Sequence, residues 1–273
     1  MARRRVLLCS MDGVRPDAIQ ASRAETLQRL AAEGSYTWRA RTVMPSATLP
    51  CHTSMLRGVE PARHGITSNQ FQPLVRPVPS LLEVAARHGL RTGMFYNWEQ
   101  LRDLAEPGTL GVSFMWSDCE SAEGDLHVSE KVEEYLGRVA FDLLFVYFGW
   151  PDECGHRHGW MSPEYLRAVE NADACLGRIL KSLEQVGLAG ETVTLALSDH
   201  GGHDRTHGTD REEDMTIPWL LHGPGIRRGH EIQAPARIED TCLTLARVLD
   251  LPASPAWEGK VIEECFTGGT DDV

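Results

Sequence analysis

The segment Leu195-Ala-Leu-Ser-Asp-His-Gly-Gly-His-Asp-Arg-Thr-His-Gly-Thr209 decides the fold. An apolar run (Val193, Leu195, Leu197) stops at Asp199-His200, and a glycine pair leads to His203, Asp204 and His207. Such a run, cut short by polar residues, marks a buried strand and its exit loop. Three histidines and two aspartates within nine residues have the chemistry of a metal site at the strand's carboxyl end. A polar surface loop with surplus histidines is the plain alternative, and the rest of the chain decides between them.

Outward from this loop the same pattern recurs. Apolar runs predict strands at 6–11, 36–43, 91–96, 141–148, 192–197 and 217–221. Helical spacing predicts helices at 18–33 (Ile19, Leu27, Leu30, Ala31, stopped by Gly34), from Thr48 to about 56, at 80–88, 127–138, 163–186 and 238–249. Residues 58–79 read as loop. Strands alternating with helices predict an α/β fold, a three-layer sandwich whose mostly parallel central sheet is flanked by helices. No repeat, low-complexity run or linker divides the chain, so residues 1–273 are expected to form one domain. The irregular, aromatic and acidic stretch 97–126 is expected to be either a small lid facing substrate or a surface excursion.

Composition narrows the function classes. With 42% hydrophobic and 24% charged residues the chain is an ordinary globular protein. A formal charge of −12 argues against nucleic-acid polymers and anionic membranes, which require a positive face. An anionic substrate would then be met by local cations. Seven cysteines, without a CxxC pair, read as reduced thiols. The basic start Met1-Ala-Arg-Arg-Arg is followed by an apolar run that breaks at Ser10 and Asp12, too short for a signal peptide. No apolar run approaches the ~18 residues of a membrane span. The expected location is cytoplasmic.

Four polar clusters each follow a strand or open a helix. Asp12 ends the first strand, Thr48 opens a helix, Asp152 and His156 follow the strand at 141–148, and Asp199, His200 and His207 follow 192–197. Carboxyl ends of strands in open α/β sheets face one crevice, so these clusters are expected to converge. Carboxylates mixed with imidazoles suit zinc, with manganese or iron as neighbours. Six ligands and a hydroxyl exceed one tetrahedral ion and match two.

The set Asp12, Thr48, Asp152-x-x-x-His156, Asp199-His200-Gly and His207-Gly, with His222-Gly-Pro-Gly beyond it, resembles the alkaline phosphatase superfamily. Its order and local motifs resemble the type I phosphodiesterase/nucleotide pyrophosphatase branch. The resemblance implies an alkaline-phosphatase-like fold and two divalent cations. One would be held by Asp152, His156 and His207, the other by Asp12, Asp199 and His200 together with Thr48. It implies Thr48 as the nucleophile, passing through a phosphothreonine that is then hydrolysed. Asn69, in His64-Gly-Ile-Thr-Ser-Asn, would steady a nonbridging oxygen together with the Thr48 backbone N–H. Phosphoryl transfer mostly needs alignment and charge stabilisation, which such a site supplies.

Each residue has a plainer role to set beside this. Asp12 could be a turn aspartate, Thr48 a helix cap, and Asn69 a loop former. His52 and His64 are expected to make structural polar contacts, and His158 and Trp160 to pack the loop. His203 competes with His207 as a ligand; the Thr206-His207-Gly208 context favours His207, which leaves His203 and Asp204 behind the ligands or at the substrate edge.

The expected substrate is a small anionic phosphate ester, foremost a phosphodiester or nucleotide pyrophosphate. A phosphomonoesterase or phosphonate hydrolase is the alternative, and Arg15, Arg157 and Arg205 beside the motifs would then bind the extra charge. A formylglycine sulfatase would need Cys or Ser where Thr48 stands. A metal-binding protein without turnover would have lost a ligand or the nucleophile, and every position is filled. The leaving group, the oligomeric state and a stacking role for Trp98, Phe114 or Trp116 are left open by the sequence.

Overall fold

Along β1 (Arg5–Met11), Val6 and Leu8 pack into one hydrophobic cluster while Leu7, Cys9 and Met11 pack into another on the opposite face. Period-two alternation with both faces apolar requires a helical layer on each side. The computed structural model describes residues 4–74 and 77–268. The first three residues of the basic start, Val75 and Arg76 in the expected loop, and 269–273 of the expected single domain lie outside the described residues.

The elements that follow are α1 (Pro16–Ala21), α2 (Glu25–Glu33), β2 (Ser35–Arg41), α3 (Thr48–Arg57), α4 (Pro61–His64), α5 (Leu81–Arg87), β3 (Thr92–Tyr96) and β4 (Val112–Met115). Then come α6 (Ala122–Leu136), β5 (Leu143–Phe148), α7 (Trp150–His158), α8 (Pro163–Gln185), β6 (Thr192–Leu197), α9 (Glu212–Met215), β7 (Thr216–His222), β8 (His230–Glu231) and α10 (Asp240–Val248). The sheet runs β4-β3-β5-β1-β6-β7-β2-β8. Its left half through β6 is parallel, and β7 is antiparallel to both its neighbours β6 and β2. Helices α3, α5 and α10 cover one face, with Leu49, Met55, Leu81, Cys242 and Leu245 buried; α1, α2, α6 and α8 cover the other, with Ile19, Leu30, Val132, Leu176 and Ile179. Each such side chain contributes about 1.5–3 kcal/mol of transfer free energy. This is the three-layer α/β architecture expected from the sequence.

The differences are local. The helix expected at 18–33 is two helices, because residues 22–24 leave helical geometry and the Asp173 carboxylate of α8 accepts from the N–H groups of Thr26 and Leu27 (3.1 and 2.7 Å). A carboxylate from across the core thus caps α2. Within 97–126, Val112–Met115 is the edge strand β4, and Leu101 and Leu104 of the turn Glu99–Leu104 are buried. Helix α6 begins at Ala122, five residues before the expected start at 127, capped by the Ser121 hydroxyl. Helix α7, which has no apolar periodicity to announce it, carries Asp152 and His156 one turn apart on one face.

Candidate active site

Parallel register brings the strand exits level. Ser10 is paired with Tyr147 and with Leu197, so Asp12, Gly149 and Asp199 emerge along one edge. Gly13 turns the chain after β1 with φ +65°, and its N–H donates to Asp199 Oδ1 (3.3 Å). A Cβ built there would lie 2.8 Å from Asp152 Oδ1, so the turn and the first turn of α7 pack backbone against side chain.

Four groups meet at the first cluster. Nε2 of His200 lies 3.3 Å from Asp12 Oδ1, 3.3 Å from Asp199 Oδ2 and 3.4 Å from the Thr48 hydroxyl. All four residues are buried. In the second cluster Asp152 Oδ2 is 3.3 Å from His156 Nε2, and Asp152 Oδ1 is 3.7 Å from His207 Nε2. The clusters adjoin: the His200 and His207 rings stack with centroids 3.9 Å apart, and Asp152, His200 and His207 themselves present ligand atoms within 4.8 Å of one another.

Hydrogen bonds fix the tautomer of each imidazole. Nδ1–H of His200 donates to the Gly201 carbonyl (2.8 Å), that of His207 to Ser46 (2.8 Å) and that of His156 to Arg205 (3.0 Å). A carbonyl only accepts, so Nε2 of His200 and of His207 presents its lone pair toward carboxylate oxygens, while Nε2 of His156 in the metal-free protein donates its proton to Asp152 Oδ2. Asp12 Oδ1, Asp152 Oδ1 and Asp199 Oδ2 are buried without a hydrogen-bond partner among the described residues. Buried lone pairs that face one another are unfavourable unless a cation or a proton lies between them. The donor set fits divalent metal of the nitrogen/oxygen kind.

Electrostatics agree. Burial, then the charges of Asp199 and Asp152, push the Asp12 carboxyl well above its ordinary range. Asp199 is raised likewise by burial and Asp152. Burial, reinforced by His207, lowers His200 to about 3. The Asp152 hydrogen bond raises His156 to about 9, against its burial.

Thr48 stands at the first position of α3, and Asn69 Oδ1 accepts from the Leu49 N–H (2.9 Å), which leaves Nδ2 as the Asn69 donor. Both line a cavity of about 110 Å³ together with Asp12, Asp152, His156 and His207. The remaining wall is Trp98, Cys119, Tyr147, Gly149 and Glu153. Phe114 and Trp116 do not line it; Phe114 packs on Phe95, and Trp116 lies on His127.

Three residues singled out in the sequence stand apart. His203 donates from Nδ1 to Asp214 (2.7 Å), behind the ligand loop. The Asp204 side chain is exposed, while its carbonyl accepts from Trp160 N–H (2.8 Å). Arg15 pairs with Asp17 (2.6 Å) and donates to the Gly202 carbonyl. Arg157 pairs with Glu120 (2.5 Å), and no Arg or Lys side chain lines the cavity among the described residues. His52 and His64 make the structural contacts expected: His52 links Ser10 to the Thr48 carbonyl (2.8 Å each), and His64 links Ser54 to the Ile66 N–H.

Sequence reasoning missed the residues that hold the candidate ligands. Tyr147 donates its hydroxyl to Asp12 Oδ2; alternation along β5 was the available signal. Asp214, buried, accepts from His203 and from the Thr209 N–H and hydroxyl, fixing the loop around His207. Asp125, buried in α6, accepts from Asn97 and from the N–H groups of Gly149 and Trp150, where α7 begins.

Comparison with known proteins gives a consistent picture. The profile of the family described as type I phosphodiesterase / nucleotide pyrophosphatase matches residues 6–215. The mouse GPI ethanolamine phosphate transferase 3, catalytic subunit, is 28% identical over 190 residues, 66% of this chain and 17% of that protein. Rat ectonucleotide pyrophosphatase/phosphodiesterase family member 1 is 26% identical over 222 residues, 71% of this chain and 24% of that protein. The chain thus spans about a quarter or less of the length of these relatives. An inactive murine ectonucleotide pyrophosphatase / phosphodiesterase 5, solved in complex with AMP, shares the fold with a TM-score of 0.80 at 17% identity, covering 94% of this chain and 97% of that one. With well over half its length inside the family profile, the chain belongs to the type I phosphodiesterase/nucleotide pyrophosphatase family of the alkaline phosphatase superfamily.

Proposed function

We propose that the protein is a two-metal hydrolase of small phosphodiesters or nucleotide pyrophosphates, acting through a phosphothreonine on Thr48. The observation that carries this reading is the convergence of the Thr48 hydroxyl, Asp12 and Asp199 on His200 Nε2 within 3.4 Å, beside a second group of Asp152, His156 and His207. Asp12, Asp199, His200 and Thr48 would hold one cation and Asp152, His156 and His207 the other, zinc first and manganese or iron next. Bound cations would supply charge neutralisation and a lowered hydroxyl pKa at Thr48.

The residues of the chain do the rest. The Thr48 hydroxyl releases its proton to solvent, its oxygen forms a bond to phosphorus as the bond to the leaving alcohol or phosphate breaks, and the departing oxygen takes a proton from solvent. Water then cleaves the Oγ1–phosphorus bond and restores the hydroxyl. Asn69, which lines the cavity next to Thr48, would hold a nonbridging oxygen. Among the described residues no Arg or Lys lines the cavity, which favours diesters over monoesters, whose additional charge needs a cationic partner. We also place the protein in the cytoplasm, a reading supported by seven unpaired cysteines, six of them buried; no helix among the described residues is long and apolar enough to cross a membrane.

The test is kcat/KM for an aryl phosphodiester against the matching monoester, on protein stripped of metal and reloaded with zinc or manganese. A diester preference of at least about tenfold is expected. A monoester preference overturns the diesterase assignment.

A further inference from the structure

The loop that leaves α7 puts the indole of Trp160 where three ligand-bearing segments meet. The side chain is 7% exposed and is not part of the cavity wall. Its Nε1–H donates to the carbonyl of Gly13 (2.9 Å), the residue after Asp12, and that carbonyl also accepts from the Tyr165 hydroxyl (2.8 Å). Its backbone N–H donates to the carbonyl of Asp204 (2.8 Å), in the loop that carries Asp199, His200 and His207. The ring stands edge to face with His156 (centroids 5.1 Å apart, planes at 88°) and with His207 (6.0 Å, 69°). One residue thus reaches the exit of β1, helix α7 and the exit of β6, and it packs on an imidazole from each of the last two.

The surroundings are shaped to admit this ring. A Cβ at Gly155, next to His156 on α7, would lie 2.7 Å from indole carbon Cε2, and a Cβ at Gly202 would clash with the same carbon. Gly155 is inside a helix, where alanine is otherwise the better residue, so its missing side chain serves the close approach. Three non-glycine residues among those described have positive φ. Two of them are Met161 (+66°), beside Trp160, and Asp204 (+47°), whose carbonyl holds the Trp160 N–H. Backbone strain of this kind persists where its surroundings over-determine it, and it gathers at functional sites. Trp257, also 7% exposed, donates its indole N–H to the Pro79 carbonyl (2.7 Å) in the core on the other face of the sheet.

We propose that Trp160 is a positioning residue for the metal centre. By bracing the β1 exit, α7 and the β6 exit against one ring, it sets how the Asp12–Asp199–His200 cluster stands to the Asp152–His156–His207 cluster, and so how tightly cations are held. Groups behind the ligands that orient ligand imidazoles govern metal affinity in this way. The inference rests on the two-cation reading above and adds to it a residue that takes no part in bond breaking.

Trp160→Phe and Trp257→Phe form a matched pair, each replacing an indole of equal exposure and removing one N–H···O=C bond. Both should lower the melting temperature of the metal-free protein. In competition with a calibrated chelator, Trp160→Phe should bind zinc about tenfold more weakly than wild type, and Trp257→Phe should match wild type. Wild-type affinity in Trp160→Phe, or an equal loss in Trp257→Phe, overturns the proposal. Gly155→Ala tests the brace with the indole kept, and it decides the matter if Trp160→Phe does not fold. The added methyl must displace the ring, so zinc affinity should fall by a similar factor; unchanged affinity overturns the proposal. Indole emission at saturating zinc gives a readout independent of affinity. Wild-type and Trp257→Phe protein should change emission on loading, and the larger part of that change should be missing from Trp160→Phe. An equal change in all three overturns the proposal. If the wild-type protein takes up neither zinc nor manganese, the two-cation reading itself fails, and the role of Trp160 falls with it.

Discussion

The His207 imidazole donates from Nδ1 to the carbonyl of Ser46 over 2.8 Å, and the Ser46 hydroxyl donates back to the carbonyl of Thr209 over 2.7 Å. This two-way tie fastens the loop after β6 to the turn that leads into Thr48. Thr48 and His207, 159 residues apart, are therefore tied together by one pair of hydrogen bonds, and the Nε2 lone pair of His207 is left to face Asp152. The geometry that makes the site is set by backbone carbonyls as much as by the ligands themselves.

If Thr48 is the attacking group, Thr48→Ala should lower kcat by about 10³-fold or more while metal content, read by elemental analysis, is retained. Unchanged turnover would remove Thr48 from the nucleophile role.

His207→Ala should weaken metal binding by about 10–100-fold, since Nε2 of His207 faces Asp152. His203→Ala should have the smaller effect, because His203 contacts Asp214 and not the carboxylates of the cluster. Competition with a calibrated chelator ranks the two. The opposite order would exchange their roles.

Gly13→Ala would place a methyl group 2.8 Å from Asp152 Oδ1 at a φ of +65°. The strained backbone alone costs about 1–2 kcal/mol, and the displaced carboxylate should weaken metal binding as well. Denaturant unfolding of the metal-free protein and chelator competition measure the two losses. A variant with wild-type metal affinity would show that Asp152 is free to shift.

The metal-free protein should lose stability from pH 7 to 9. His156 is raised from 6.5 to about 9, so the stabilisation it gives is complete below about 6.5 and disappears as pH climbs through 9. Asp199, also raised, adds a loss of the same sign as its buried carboxyl ionises beside Asp152. Metal binding needs neutral imidazole, so affinity should rise over the same interval and protons should be released at pH 7. Melting curves with and without metal test this; a metal-free melting temperature that rises toward pH 9 would refute it.

Much of this protein is legible in its sequence because the signals are local. A strand buried on both faces must be apolar throughout, and 192–197 announces itself that way; a ligand cluster at its exit, Asp199 to His207, needs only neighbours in the chain. The class of fold and the candidate metal-facing side chains follow from such runs and from the family resemblance they carry. Helix α7 was not legible, since it buries little apolar surface and its start is held by Asp125 from a different helix. The break between α1 and α2 was hidden for the same reason: its cap is Asp173, nearly 150 residues away.

By itself the sequence determined most of the strands and long helices and which side chains have the chemistry for metal and phosphate, because periodicity and residue type are properties of a single stretch. Only the tertiary structure decided that Tyr147 holds Asp12, that Asp214 holds His203, that Arg15 turns away to Asp17, and that Thr48, Asn69, Asp152 and His207 line one cavity. Those are relations between strands and loops far apart in the chain, and they are fixed by parallel register and by where buried polar atoms must find their partners.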